Sequence, residues 1–195
     1  MRKKAIAYAF LVRLLIAVIA IVTVVIIATT LGKGLFKKTA AAEESFEDFA
    51  VKVEEAKQWK ENDLKKLRVD MDEDDSIWFF NKGSTDIQKT EGNKQTYVKR
   101  PSVSECSGKE SCLCLCRKSS TKSIEGAYDE LNCDELYKCK KVVNVTFKTP
   151  ATDDLKYVGG LVIESDSAAM KLVFVEKGSG NLIGICEERI SSCLE

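Results

Sequence analysis

The sequence predicts an α+β fold in which a transmembrane helix and an amphipathic helix precede a mainly antiparallel β domain held by disulfides. Three observations predict this fold: an apolar run at 14–31, a helical pattern within 39–68, and short strand-like segments from residue 76 onward, in the part of the chain that contains all eight cysteines. They divide the chain into a basic N-terminal segment (1–13), the apolar helix (14–31), a membrane-proximal linker with the amphipathic helix (32–68) and a cysteine-rich β domain (69–195).

The apolar run 14–31 contains no charged residue and no proline. A helix of this length is about 27 Å long, close to the ~30 Å hydrocarbon core of a bilayer. A cleaved signal usually has a shorter apolar region and a nearby small-residue cleavage site. Here the nearest small-residue stretch, the three alanines at 40–42, lies beyond Lys37 and Lys38 and is too far from the end of the run. A buried core helix is the remaining alternative, because isoleucine and valine leave no polar face. The run therefore predicts one uncleaved span with the lipid bilayer as a partner.

The net charge of zero conceals a division along the chain. Residues 1–38 carry seven basic and no acidic residues, whereas 39–195 contain the other 23 basic residues and all 30 acidic ones. The acidic remainder gives no reason to expect nucleic acid as a partner. All eight cysteines follow the apolar run, and disulfides persist in oxidising compartments. We therefore expect a single-pass protein of the cell membrane, with its N-terminus inside and its C-terminal domain outside.

Residues 39–68 have the periodicity of an amphipathic helix, with glutamate and lysine on the other faces. The apolar stripe consists of Phe46, Phe49, Val53 and Ala56, continued less regularly by Leu64 and Leu67. We expect this stripe to pack on the β domain, and binding of a partner is the alternative.

An acidic segment at 70–75 loosely resembles a calcium-binding loop. Such a loop has glycine at its sixth position and glutamate at its twelfth, where this chain has Asp75 and Asn81. The segment is therefore predicted to be a solvated acidic turn.

From residue 76 onward the sequence favours short strands in an antiparallel sheet, either open or part of a sandwich. The predicted strands are 77–80, 95–98, 112–116, 142–147, 157–164, 171–176 and 182–186. The pair Gly159-Gly160 indicates a bulge or a close approach of another backbone. The segment 177–181 has the composition of a hairpin loop.

The eight cysteines are all candidates for disulfide bonds: Cys106, Cys112, Cys114, Cys116, Cys133, Cys139, Cys186 and Cys193. On a strand, the side chains of Cys-x-Cys-x-Cys at 112–116 share one face and are poorly placed to bond each other. Each can instead reach a separate partner, and Cys106, Cys133 and Cys139 are available. Cys186 and Cys193 are expected to close a C-terminal loop. The connectivity stays open at the level of sequence.

Bound metal and redox chemistry are the rival interpretations of the cysteines. Four cysteines can hold a structural zinc, but this chain has no Cys-x-x-Cys pair of the kind used in zinc knuckles and thioredoxin-like sites. We therefore expect no metal and no cofactor. A cytosolic-facing metal or redox module is kept as an alternative.

The chain contains no histidine, so it lacks Ser-His-Asp and Cys-His arrangements and the commonest general base. It also has no phosphate-binding P-loop, and its acidic residues single out no catalytic pair. We expect no enzymatic activity and assign no catalytic residue. Asn144-Val145-Thr146 is a sequon, which makes Asn144, on the polar face of a predicted strand, a glycosylation candidate.

Four segments together carry a resemblance: AFLVRLL at 9–15, SFEDF at 45–49, the Cys-x-Cys-x-Cys motif, and GGLVIE at 159–164. The chain resembles single-span, cysteine-bearing membrane proteins of small-genome archaea. This resemblance implies no activity and no functional residue.

The segment around Lys3-Lys4-Ala5, followed by Ile6, is similar to the leader of archaeal type IV pilins. The chain departs from that pattern because Phe10 stands where pilins commonly have glutamate, and because Arg13 would be a bare charge in a filament core. A pilin-like surface filament subunit, processed after Ala5, is therefore an alternative. The function expected first is a membrane-anchored extracytoplasmic structural or interaction protein, whose partners are other surface proteins or further copies of itself.

Overall fold

The structure is a computed structural model that describes residues 18–24, 41–124, 128–150, 155–165, 170–187 and 192–194. The chain divides into two compact units, 1–40 and 41–195. Within the first unit, the described residues form helix α1 (18–24), whose side chains are exposed. The pilin-type leader around Ala5 and the motif at 9–15 lie outside the described residues.

The predicted transmembrane helix at 14–31 is corrected by the structure. Among the described residues, no helix has both the length and the apolar character needed to cross a membrane. Helix α1 has seven residues, which corresponds to about 10 Å of the ~30 Å that a span requires. The remaining positions of the predicted span, 14–17 and 25–31, lie outside the described residues. The single-pass location in the cell membrane, with its N-inside orientation, loses its support with the helix.

The α+β prediction is wrong as well, because the protein is mostly β. Of the described residues, 52% lie in strands and 19% in helices. Helix α2 (41–55) ends in a 3₁₀ turn, Ala56–Gln58, so the predicted helix 39–68 is too long. Its last part is a strand, in which Leu67 and Val69 are buried on either side of the exposed Arg68. Here the two-residue period of a strand prevails over the helical spacing.

The described residues contain eleven strands. They are β1 (Leu64–Val69), β2 (Ser76–Phe80), β3 (Asp86–Glu91), β4 (Lys94–Lys99), β5 (Ser111–Ile124), β6 (Tyr128–Val142), β7 (Thr146–Lys148), β8 (Leu155–Val158), β9 (Gly160–Glu164), β10 (Lys171–Lys177) and β11 (Leu182–Cys186). A second 3₁₀ turn, Ser104–Cys106, precedes β5.

The strands form two sheets. The smaller sheet has the order β1-β10-β11-β7, and its β10–β11 hairpin is the one predicted around 177–181. The larger sheet has the order β8-β3-β4-β6-β5-β2-β9. Antiparallel pairs dominate both sheets, and the pairs β4–β6 and β7–β11 are parallel.

The main core joins helix α2 to both sheets. The predicted stripe of α2 packs into it, with Phe46, Phe49 and Val53 at most 1% exposed, which confirms core packing as its use. Phe79 of β2 makes edge-to-face contacts with Phe49 and with Phe147 of β7, with ring centroids 6.1 and 5.2 Å apart. Such aromatic contacts add to the free energy of burial.

A second core covers the opposite face of the larger sheet. Because side chains alternate along a strand, Ile77 and Phe79 of β2 face the main core, whereas Trp78 and Phe80 face the second one. The cysteines of β5 lie in this second core. The sheet is therefore apolar on both faces at its centre.

A glycine corner brings the two edges of the larger sheet together. Strands β8 and β9 are the opposite edges of that sheet, yet Gly159 alone separates them in sequence. A Cβ atom on Gly159 would lie 2.3 Å from the carbonyl oxygen of Asp86, and a Cβ atom on Gly160 would lie 1.9 Å from that of Phe79. The close backbone approach predicted for this pair is confirmed.

Substitution of Gly160 by alanine is expected to lower the free energy of unfolding by about 3 kcal/mol, because β2 must move away from the new methyl group. The matched control is Gly92→Ala in the β3–β4 turn. Gly92 has a φ of +57°, but nothing lies within 4 Å of the position that its new methyl group would take, so only the backbone cost of about 1 kcal/mol remains. Urea unfolding of both variants measures the difference, and equal losses would contradict the steric explanation.

Candidate functional site

The cysteine cluster is built on β5. Leu113 and Leu115 point into the main core, whereas Cys112, Cys114 and Cys116 point into the second core and are fully buried. The alternation of a strand thus places all three sulfur atoms on one face.

The prediction of disulfide bonds is confirmed, and each cysteine of the motif has a separate partner. The bonds are Cys106–Cys112, Cys114–Cys139, Cys116–Cys133 and Cys186–Cys193, and no cysteine is free. The last of these closes the expected C-terminal loop.

The pairing follows from the register of β5 and β6. Cys114 lies directly opposite Cys139, with Cα atoms 4.1 Å apart. A register shift after Leu115 places Cys116 opposite Leu136, so that its bond to Cys133 runs diagonally. Cys106, at the end of the 3₁₀ turn, attaches the preceding loop to the start of β5.

Two of these disulfides touch each other. The Sγ atoms of Cys106 and Cys114, which belong to different bonds, are 3.2 Å apart. Together with Cys112, they form a group of three sulfur atoms within 4.8 Å of one another. Such a group has the spacing of a metal site, but zinc binds thiolates, and all three sulfurs are already bonded in disulfides.

Arg100 borders this sulfur cluster, with its guanidinium 3.5 Å from Cys112 Sγ. Its positive charge would repel a metal cation at the cluster. Its nitrogens donate to four carbonyl oxygens, those of Asn81 and Ser84 (2.8 Å each), Cys106 (2.7 Å) and Glu110. The guanidinium also lies over the Phe80 ring, 5.5 Å from its centroid. Burial lowers the pKa of Arg100 from its usual value.

A separate cleft of about 340 Å³ opens beside β8, β9 and β11. Its walls are mainly apolar and include Leu161, Ile163 and Ile185. The hydroxyl of Tyr157 donates to the carbonyl oxygen of Val162 at 3.2 Å, and burial raises the pKa of Tyr157.

The charged side chains of this cleft meet opposite charges. Lys89 Nζ lies 3.7 Å from Glu164, and Lys171 Nζ lies 2.7 Å from Glu187. Apolar walls with a few polar groups are typical of a binding cleft. The two ion pairs do not have the arrangement of a nucleophile activated by a neighbouring base.

The acidic turn differs from its prediction at one residue. Asp75 is not solvated but only 2% exposed. Its Oδ2 accepts a hydrogen bond from the backbone N–H of Asp72 at 2.9 Å, while its Oδ1 has no partner among the described residues. Burial is the main cause that raises the pKa of Asp75 above its usual 3.8. The hydrogen bond from the Asp72 N–H and the charge of Arg117 lower this pKa, whereas the carboxylates of Asp72 and Asp74 raise it.

This raised pKa predicts a pH dependence of stability. Between 3.8 and the folded-state pKa the unfolded chain releases a proton that the folded chain retains, so Asp75 lowers stability progressively as the pH rises and fully above that pKa. Asp75→Asn is therefore expected to gain stability relative to the wild type from about pH 4 to pH 7. Chemical denaturation across this range measures the gain, with Glu73→Gln at an exposed neighbour as control. A pH-independent difference for Asp75→Asn would contradict the assignment.

Asn144 lies in an exposed turn between β6 and β7, with a φ of +55°, rather than on the predicted strand. Its backbone N–H donates to Glu110 Oε2 at 3.4 Å. The exposure leaves its side chain accessible, and its glycosylation stays a prediction.

Arg100, Asp75 and the contact between two disulfides are the features that sequence reasoning missed. The only local signal at Arg100 is the following Pro101, which indicates the end of a strand. No spacing rule predicts that the loops at 81–84 and 103–110 converge on one guanidinium.

In comparisons with known proteins, the chain matched no protein-family model, no curated protein and no solved structure.

Proposed function

We propose that residues 41–195 form a non-catalytic structural or interaction domain whose conformation is fixed by four disulfides and which works in an oxidising environment. The observation that carries this proposal is the complete pairing of the eight cysteines. Structural disulfides form and persist where thiols are not kept reduced.

The positions of the disulfides support a role in rigidity. Three of them converge on Cys112, Cys114 and Cys116, so that β5 is bonded to β6 twice and to the loop before it once. Limiting the conformations of a surface before it binds reduces the entropy lost on binding. A stapled sheet is therefore suited to presenting a fixed surface.

The first test is the intact mass of the full chain, purified without reductant and denatured in the presence of an alkylating reagent. Four closed bonds remove eight hydrogens, about 8 Da, and leave no site for alkylation. Alkylated cysteines in the freshly purified protein would contradict the disulfide-based proposal.

The non-catalytic part of the proposal has its own test, a thermal-shift screen with nucleotides, nicotinamide cofactors and divalent cations. A ligand at 100 times its dissociation constant stabilises a folded protein by about 2.7 kcal/mol, or about 5–10 °C for a chain of this size. We expect no shift of that magnitude. A shift with one of these cofactors, followed by turnover, would replace the proposal by an enzymatic one.

A further inference from the structure

Four sulfur atoms form a continuous path through the second core, from the partly exposed Cys139 to the half-buried cation of Arg100. The path starts at Cys139, which is partly exposed, and continues through its bond to Cys114, which is fully buried. From Cys114 Sγ it crosses 3.2 Å to Cys106 Sγ and ends at Cys112, beside Arg100.

Exposure determines where an external thiol can enter this path. Cys106, Cys112 and Cys114 are at most 1% exposed, whereas Cys139 is partly exposed, so an external thiolate is expected to enter the path at Cys139. Attack on Cys139 forms a mixed disulfide and releases Cys114 as a thiolate. That thiolate is then in contact with the second disulfide.

We propose that Cys139, Cys114, Cys106 and Cys112 form a thiol–disulfide exchange site that accepts electrons from a small-molecule thiol and moves the thiolate inward to Cys112. In the second step Cys114 Sγ attacks Cys106 Sγ, so that a Cys106–Cys114 bond forms and the Cys106–Cys112 bond breaks. A second thiol then releases Cys139 from its mixed disulfide. Two thiols become one disulfide, and the protein gains two electrons, held by free Cys112 and Cys139. This activity is additional to the structural role proposed above.

Arg100 gives the exchange its direction. The leaving sulfur, Cys112 Sγ, lies 3.5 Å from the guanidinium, and an adjacent positive charge stabilises a thiolate and improves it as a leaving group. The described contact of Cys114 Sγ outside its own bond is with Cys106 Sγ, not with a cation. The thiolate is therefore expected to reside on Cys112 rather than on Cys114.

The chain contains a matched comparison in Cys116–Cys133. This bond also joins β5 to β6 and also has one fully buried and one partly exposed cysteine. The described neighbour of Cys116 Sγ is the carbonyl oxygen of Arg117 at 3.6 Å, not a second disulfide. Its reduction should release both cysteines without exchange.

The experiment is limited reduction of the full-length wild type with reduced glutathione, followed by quenching with N-ethylmaleimide at mildly acidic pH. Trypsin cleaves after Lys109, and chymotrypsin after Leu113 and Leu115, so that the three cysteines of the motif fall on separate peptides. Mass spectrometry is expected to find a Cys106–Cys114 linkage, with Cys112 and Cys139 alkylated. After reduction of the control bond, N-ethylmaleimide should alkylate both Cys116 and Cys133.

Three outcomes would overturn the proposal. They are alkylation of Cys114 together with Cys139 while Cys106–Cys112 stays intact, alkylation of Cys106 together with Cys112 while Cys114–Cys139 stays intact, and no reaction of Cys139 when the control bond is fully reduced. The variant C116A/C133A should still give the Cys106–Cys114 linkage. Alkylated cysteines in the starting protein would instead count against the proposed structural role, which keeps the two tests separate.

Discussion

Full reduction of the four disulfides is expected to unfold residues 41–195 at 25 °C. The bonds span 6, 25, 17 and 7 residues, and the loss of loop-closure entropy in the unfolded chain corresponds to about 2 kcal/mol for each short loop and about 3 kcal/mol or slightly more for each longer one. Their total, about 11 kcal/mol, equals the whole stability of a typical domain, about 5–15 kcal/mol. Circular dichroism of the reduced, alkylated chain should therefore lose its cooperative thermal transition.

Two double variants, each lacking one disulfide, test whether the loss of stability depends on loop length. C114A/C139A removes the longest closed loop and should lower the melting temperature by about 7–14 °C, whereas C186A/C193A should lower it by about 4–8 °C. The C-terminal pair is the control for the loss of any one disulfide. Equal shifts, or a cooperative transition of the fully reduced chain near the original temperature, would contradict the loop-entropy explanation.

Most of what the sequence could predict about the cysteines came from the alternation of side chains along a strand. The Cys-x-Cys-x-Cys motif determined that three sulfurs share one face and need three partners, because the period of a strand is two. The choice among those partners depended on the register of β5 and β6. In this register Cys114 lies opposite Cys139, and a shift after Leu115 places Cys116 opposite Leu136. Register between strands is a long-range property that no local pattern in this chain encodes.

The errors have the same physical origin. Leu64 and Leu67 continue the helical stripe less regularly, and the pairing of β1 with β10 determines that they lie in a strand. Asp75 belongs to an acidic segment that is polar by composition. The pairing of β2 with β9 at Ser76, together with the hydrogen bond from the Ser165 N–H to the Asp75 carbonyl oxygen, nevertheless places Asp75 in the interior. The Gly159-Gly160 pair was informative because glycine, which has no Cβ, lets two backbones approach closely.

Loss of the Arg100 side chain is expected to be among the most destabilising single changes outside the disulfides. Four carbonyl oxygens from the loops at 81–84 and 103–110 depend on its guanidinium, and within the described residues none of its partners is a carboxylate. Arg100→Met keeps an apolar side chain near Phe80 but takes a donor from all four carbonyls, of which that of Asn81 still accepts the Ser84 N–H at 3.1 Å. We therefore expect a loss of about 3–5 kcal/mol. Arg100→Lys, a point charge without the planar fork, should lose about half as much.

Urea unfolding of the two variants, read beside Arg68→Met, separates this role from that of an ordinary cation. Arg68 is an exposed residue whose partner is Asp70 at 2.9 Å, and an exposed ion pair contributes at most about 1 kcal/mol. If Arg100→Met lost no more than Arg68→Met, the guanidinium would not be what holds the two loops together. If Arg100→Lys retained full stability, charge rather than the five-donor geometry would be the feature that matters. The expected order, Met below Lys below wild type, follows from the number of carbonyl oxygens that each side chain can satisfy at once.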